Sequence, residues 1–296
     1  MSRLATHHDA DGLSSAVLFK HAFGGKVKDV HFPKTFGDVG SECDICLDMT
    51  PLNANWEGKV VDHHDQHPEE HKYELYFGHK PTSLLVLEKL EDKIPKEYYW
   101  KAAIGAVGDM QPEKIPNVIW KMNPGLLDTI RYTDKWNNNI KEFKIQKYKM
   151  LSSGVNALCK IGEEEKAFTI LFNADEPDDI LENHYLKNAK DVKKKEVNKV
   201  FNDNEILDLG QFMYMEYESD LKISGEIAAR LEDMSEKTSV AYNRKKDKGS
   251  MRGVLTDLVL EEMDGVENIE SGGHQIAAGF GNAFGVNMKE LLRNII

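Results

Sequence analysis

The stretch that decides the reading is Leu4–Gly25, LATHHDADGLSSAVLFKHAFGG. Leu4 and Ala5 end a short apolar run with the length of a buried strand, Leu13 to Phe23 carries apolar residues at helical spacing, and Gly24-Gly25 stops it. Between them lies HHDADG, with two imidazoles and two carboxylates in six residues. His7, Asp9 and Asp11 are spaced by two, so an extended backbone points all three side chains at one place, where a cation is the natural occupant. A calcium loop of the EF-hand kind does not fit, because Leu18 stands where that loop needs its bidentate glutamate. The competing account is a polar turn in which Asp9 and Asp11 cap a helix beginning near Ser14.

The following segments repeat the pattern. Val27 to Phe32 alternates like a strand, and DICLD (44–48) and KVVDHH (59–64) are short apolar runs ending in acid or imidazole. Ser83 to Leu90 and Tyr98 to Val107 read as helices. Strands alternating with helices predict an α/β fold with a largely parallel sheet, whose ligand crevice lies beyond the carboxyl ends of its strands. Asp9, Asp48 and Asp62 all fall at such ends. Asp48, in LDMTP, also reads as an ordinary turn residue. Asp62-His63-His64 places a carboxylate and two imidazoles at the exit of a buried strand, a costly grouping unless a metal or anion organises it. His67 and His71 read as exposed loop histidines. In GAVGDM, Asp109 follows small residues that let backbone pack close to a site.

Pro116 to about Lys199 reads as mainly helical, and the charged run DVKKKEVNKV (191–200) reads as a solvated helix joining two domains. Beyond it, Ile206 to Tyr217, Thr238 to Tyr242 and Met251 to Leu255 read as strands and Ile223 to Met234 as a helix, giving a smaller α/β domain. The expected division is 1–180, a helical linker over 181–204, and 205–296. No internal repeat is visible.

The chain has 296 residues, enough for two cores. A net charge of −12 rules out a whole-protein field that gathers long nucleic acid and favours short or small anionic substrates, although a local basic groove stays open. Three cysteines suit a reducing compartment rather than a disulfide framework. No apolar run reaches membrane-spanning length, and charge comes too early for a signal peptide, so a soluble cytoplasmic protein is expected. Cys43 and Cys46 have the spacing of half a zinc site but no second pair, and in an extended strand they would face opposite ways, so burial is expected. The aromatics of EYYW (97–100) are expected to pack a helix, and Arg244-Lys245-Lys246 to form a charged turn.

Taken in order, HHDADG, Asp48, Asp62-His63-His64 and GAVGD resemble the motifs of the DHH phosphoesterase superfamily, and ESGGHQIAAGF (270–280) resembles the glycine-rich signature of its companion domain, DHHA1. The resemblance spans almost the whole chain and implies a DHH domain followed by a DHHA1 domain. It implies two Mn2+ ions, with Mg2+ as the alternative. His7, Asp9 and Asp48 would hold one; Asp11, Asp48, His63 and Asp109 the other. Asp62 would orient the His63 ring, and His64 would contact the scissile phosphate or assist the leaving oxygen. Gly272 and Gly273 would present amides to a substrate phosphate, His274 would add a donor, and Ala277-Ala278-Gly279 would open a helix whose dipole favours anions. Arg252, in GSMRG, resembles the family's phosphate-gripping arginine; otherwise it is a solvated residue on an edge strand. RecJ-type members commonly begin the first motif with Asp, so His7 is similar instead to short archaeal-type members.

The activity so implied is hydrolysis of short single-stranded oligonucleotides, RNA or DNA, to nucleoside monophosphates. Cleavage of a cyclic dinucleotide is a second reading, and an inactive scaffold for replication or repair factors a third. The expected partner is the oligonucleotide or nucleotide substrate, with no membrane involved and a homodimer left open.

Overall fold

The computed structural model describes residues 2–33, 38–64, 67–124, 129–134, 139–144, 146–264, 266, 269–274, 276–283 and 285–295. Within it the chain forms two compact units, residues 1–159 with 163–190, and residues 160–162 with 191–296.

In the first unit the elements are β1 (Ser2–Thr6), α1 (Ala10–Phe23), β2 (Val27–His31), β3 (Ile45–Leu47), β4 (Lys59–Asp62), β5 (Glu74–Phe77), α2 (Thr82–Lys89), α3 (Tyr99–Gly108), α4 (Asn117–Met122), β6 (Thr129–Asp134), β7 (Asn139–Lys144), α5 (Gln146–Lys160), α6 (Glu164–Asn173) and α7 (Pro177–Leu181). The helix α8 (His184–Asp203) runs on into the second unit. Five parallel strands form one sheet in the order β2-β1-β3-β4-β5. In that order the chain turns one way from β1 and the other way from β3, and the carboxyl ends of these two strands flank the switch point where doubly wound sheets bind ligands.

Strand alternation fixes what each face buries. Ala5, Cys46, Val60 and Leu75 stand in register across four strands, and they pack with Val39, Cys43, Met49, Trp56 and Tyr73. Loops rather than helices therefore cover that face. Cys43 lies before β3 and packs in the same cluster as Cys46, so the two thiols are buried as expected but not on opposite faces. Helices α1, α2 and α3 pack on one another, and Tyr99 and Trp100 are buried, as the helix-packing reading requires. Each fully buried side chain of this size contributes roughly 1.5–3 kcal/mol.

Two features of this unit differ from the sequence expectation. β5 was not anticipated, because an edge strand with exposed Glu74 and Phe77 lacks a full alternating signal. The region read as mainly helical contains an antiparallel hairpin, β6 with β7.

The second unit contains β8 (Leu207–Asp208), β9 (Phe212–Tyr217), α9 (Ser224–Ser235), β10 (Thr238–Asn243), β11 (Lys248–Arg252), α10 (Thr256–Asp264), β12 (Glu270–His274), β13 (Ala277–Gly281) and α11 (Met288–Asn294). Its sheet has the order β12-β13-β11-β10-β9-β8 and is antiparallel except between β9 and β10. Phe212 and Tyr214 face one core, with Val240, Met251 and Phe280, while Met215 and Tyr217 face the other, with Ile227 and Leu231. α8 joins that second core through Val197, Val200 and Phe201, one stripe at helical spacing, and leaves most of its lysines in solvent. The strand expected over 206–217 is two strands, parted at Gly210, whose φ is 83°. β11 begins at Lys248, earlier than expected, because the Arg244-Lys245-Lys246 turn is tight and held by Glu218 and Asp220. Lys160–Gly162 belong to this unit, the Lys160 carbonyl accepting from the Lys222 amide at 2.9 Å.

Candidate metal centre

Each acidic strand end is shaped by its own neighbourhood. After β1 the chain turns through His7 to Asp9, which is the N-cap of α1 and accepts from the amides of Asp11 and Gly12, both at 3.0 Å. Of the two expected caps only Asp9 serves, and the helix starts at Ala10 rather than near Ser14; Asp11 lies in its first turn instead of on an extended segment. A side chain at Gly12 would run into the His7 carbonyl, so the turn needs glycine. Asn156, on α5, accepts from the Ala10 amide at 2.7 Å and closes the start of α1.

After β3, Asp48 has φ 59°, a left-handed conformation for a residue that is only 1% exposed. Such a backbone costs about 1–3 kcal/mol and turns the carboxylate inward, off the strand's own path. Its amide donates to Val61, pinning the turn to β4. After β4 come His63 and His64. Asp109 is the C-cap of α3. Gly105, one turn earlier, faces Ser83 and the Asp11 carboxylate so closely that any side chain would collide with both.

These residues converge. His7 Nδ1 lies 2.8 Å from Asp9 and 3.8 Å from Asp48; His63 Nε2 lies 3.4 Å from Asp48 and 3.1 Å from Asp109. Donor atoms of His7, Asp9 and Asp48 lie within 4.8 Å of one another, and so do those of Asp11, Asp48, His63 and Asp109, and those of Asp48, His63 and His64, with Asp48 in every group. Sequence reasoning missed the support supplied by α2. The Thr82 amide (2.6 Å) and the Ser83 amide (3.0 Å) donate to Asp11, and the Thr82 hydroxyl donates to Asp48 at 3.0 Å. The only trace of this in the sequence is Pro-Thr-Ser at a helix start.

The electrostatics of the cluster follow from its packing. Burial opposes a charge on His7, but Asp9 and Asp48 outweigh it and raise its pKa to about 10; likewise Asp109 and Asp48 raise His63 to about 12. Burial, together with the charge of Asp48, pushes Asp109 up to about 6 and Asp11 well above the carboxylate range. Four carboxylates thus face two imidazoles, and burial together with their mutual repulsion is what raises Asp11 and Asp109. Two divalent cations would match four carboxylates in charge, and a set of imidazole and carboxylate donors suits manganese or magnesium better than a thiol-seeking metal.

Asp62 has a different place from the one expected. It is fully buried, accepts from the His63 amide (2.8 Å), and bonds the His64 ring at Nδ1 (2.7 Å), while the His63 ring faces Asp48 and Asp109. Thr50 donates to its other oxygen at 3.1 Å, and His67 approaches that oxygen at 3.2 Å. His67 is thus an inward residue, not the exposed one expected, whereas His71 stacks on Tyr73.

In the second unit Arg252 lies on an inner strand, not an edge, because β12 and β13 extend the sheet beyond β11. Its guanidinium donates to the Met251 carbonyl at 3.2 Å and burial lowers its pKa. Gly272 and Gly273 belong to β12 and pair with Gly279 and Ala278 of β13, so Ala277-Ala278-Gly279 is strand and opens no helix. Gly272 opposite Gly279 and Gly273 opposite Ala278 leave the hairpin almost without side chains, so in sequence it looks like a turn before a helix. Arg252, Ala277 and His274 share one rung of the sheet. The His274 side chain lies outside the described residues.

No family model matches the sequence, and no curated protein matches it. Solved structures do match. The Mn2+ complex of RecJ from Thermus thermophilus has a TM-score of 0.64 at 16% identity, over 94% of this chain and 49% of that one. This chain therefore spans about half the length of that relative. A structure of exonuclease RecJ bound to manganese gives 0.62 at 17%, over 94% and 85% of the two chains, and the pGpG-specific phosphodiesterase PggH from Vibrio cholerae gives 0.50 at 15%, over 99% and 98%. At these identities the likeness is one of fold.

Proposed function

We propose, from the premise that this chain has the DHH/DHHA1 phosphoesterase fold, that it is a manganese-dependent phosphodiesterase. Its substrates are short single-stranded oligonucleotides, which it hydrolyses to nucleoside monophosphates. The observation that carries this reading is the pair of donor groups sharing Asp48 at the sheet's switch point. His7, Asp9 and Asp48 would hold one ion and Asp11, Asp48, His63 and Asp109 the other. Two such ions polarise a phosphate and supply a nucleophilic water near neutral pH.

The remaining roles belong to the chain. Asp62 bonds His64 at Nδ1, which makes Nε2 the nitrogen that contacts the scissile phosphate or, once the ring has taken up a second proton, gives that proton to the leaving oxygen. Arg252 grips a substrate phosphate through its fork, with an outward-facing β12 amide at Gly272 or Gly273 and the His274 ring as further donors. Water adds across one P–O bond, leaving a monophosphate and a shortened alcohol. The acidic balance of the chain favours short substrates over long ones. Its sparse cysteines, none of them in a disulfide, suit the cytoplasm.

A product time course tests this, using end-labelled RNA and DNA of about two to twenty nucleotides with manganese, and cyclic di-AMP and adenosine bisphosphate alongside. Monophosphates are expected from the short oligomers and none after chelation. A linear dinucleotide appearing first from the cyclic substrate would make cyclic dinucleotide cleavage the activity. No turnover of any phosphoester by the manganese-loaded protein would leave the scaffold reading.

A further inference from the structure

His67 stands apart from the donor groups and has no part in the roles above, yet both of its ring nitrogens are engaged. Nδ1 lies 3.0 Å from the Tyr73 hydroxyl, and Nε2 lies 3.2 Å from Asp62 Oδ2. The second approach is a close contact out of hydrogen-bond alignment, since Nε2 makes no directed bond among the described residues. Tyr73 is itself immobilised, 3% exposed and packed with Trp56, Cys46 and Val60. A phenol donates more readily than it accepts, so Tyr73 O–H sets Nδ1 as acceptor and puts the ring proton on Nε2, facing Asp62.

Asp62 is then surrounded on both oxygens. Oδ1 takes the His63 amide at 2.8 Å and His64 Nδ1 at 2.7 Å; Oδ2 takes the Thr50 hydroxyl at 3.1 Å and the contact from His67. A buried carboxylate with one oxygen loosely held can rotate about its last bond, and the imidazole on the other oxygen rotates with it. Holding Oδ2 removes that freedom.

We propose that His67 is a positioning residue for the phosphodiesterase reaction, fixing through Asp62 the tautomer and heading of the His64 ring, with Tyr73 as its anchor. This rests on the role given to His64 above. The line Tyr73–His67–Asp62–His64 carries the effect from the loop-covered face of the sheet to the metal centre. Groups that orient an active imidazole at one remove typically change activity about 10–100-fold when lost.

The test joins a spectroscopic and a kinetic reading on the full chain. In the Mg2+-loaded protein with nitrogen-labelled histidine, and His64 assigned by comparison with His64→Ala, the wild type should show His64 with its proton on Nδ1. His67→Ala should turn that signal into a mixture of tautomers, whereas His67→Gln, whose amide can reach Asp62, should keep it. In manganese, kcat should fall roughly tenfold or more in His67→Ala and recover in His67→Gln, with KM and the manganese half-saturation unchanged. Tyr73→Phe should lie between, which separates a lost anchor from a lost side chain. An unchanged His64 signal in His67→Ala overturns the proposal, and so does a His67→Ala protein that loses manganese along with turnover. If the His64 signal responds as expected but the wild type turns over no phosphodiester, the positioning stands and the phosphodiesterase reading falls.

Discussion

Asp48 shows how much one residue can carry. It is buried, shared by both donor groups, and set in a left-handed backbone that only a few residue types tolerate. Asparagine is one of them, so Asp48→Asn should fold while losing the charge that both groups depend on. Removing one partner from a buried charged cluster costs about 3–5 kcal/mol, so manganese affinity should drop roughly a hundredfold or more at both positions together. Calorimetric titration checks this; loss of one ion with the other retained would show that Asp48 is not shared. The acids and imidazoles at strand ends were legible in the sequence because three apolar runs end in them in succession, although any one acid there, Asp48 included, also reads as an ordinary turn residue. His67, Thr82, Ser83 and Asn156 were not legible, because their contacts cross 5 to 146 residues and none breaks a local pattern.

At the level of elements, helix ends do much of the positioning. The first amides of α2 point at Asp11, and the end of α6 is closed by Lys101, which is fully buried and donates to the Phe172 carbonyl at 3.0 Å. Lys101 Nζ also lies 3.1 Å from His21 Nε2, whose ring stacks between Tyr98 and Phe172. Burial, aided by that ammonium charge, lowers the His21 pKa to about 4 from 6.5. The folded form keeps His21 neutral while the unfolded chain takes up a proton below 6.5, so this group stabilises the fold above pH 6.5 and loses that contribution as pH falls toward 4. His21→Gln, which can still accept from Lys101, should lower Tm less than the wild type does between pH 7 and 5; parallel curves in differential scanning fluorimetry would refute this. Among the elements, α1 and β2 were readable from periodicity, and β1, β3 and β4 from short apolar runs closed by polar residues. The β12–β13 hairpin was not, because Gly272, Gly273 and Gly279 remove the side chains that give a strand its alternation.

For the whole molecule, the division into two units gives a thermodynamic expectation. All six donor residues proposed for the ions belong to the first unit, so manganese should stabilise that unit directly. Ligand at a hundred times its dissociation constant adds about 2.7 kcal/mol, which for a unit of this size moves the transition by roughly 5–10 °C. Scanning calorimetry with and without chelator should therefore shift one transition and leave the other in place; two transitions moving equally would mean that the units melt as one.

The early visit of Lys160–Gly162 to the second unit has a consequence for biogenesis. Those three residues leave the ribosome long before the rest of the second unit, so the Lys160 carbonyl waits for its Lys222 amide until synthesis has passed that residue. Neither unit is a single uninterrupted length of polypeptide, and severing the gene between codons 190 and 191 would leave the downstream product without its own upstream piece.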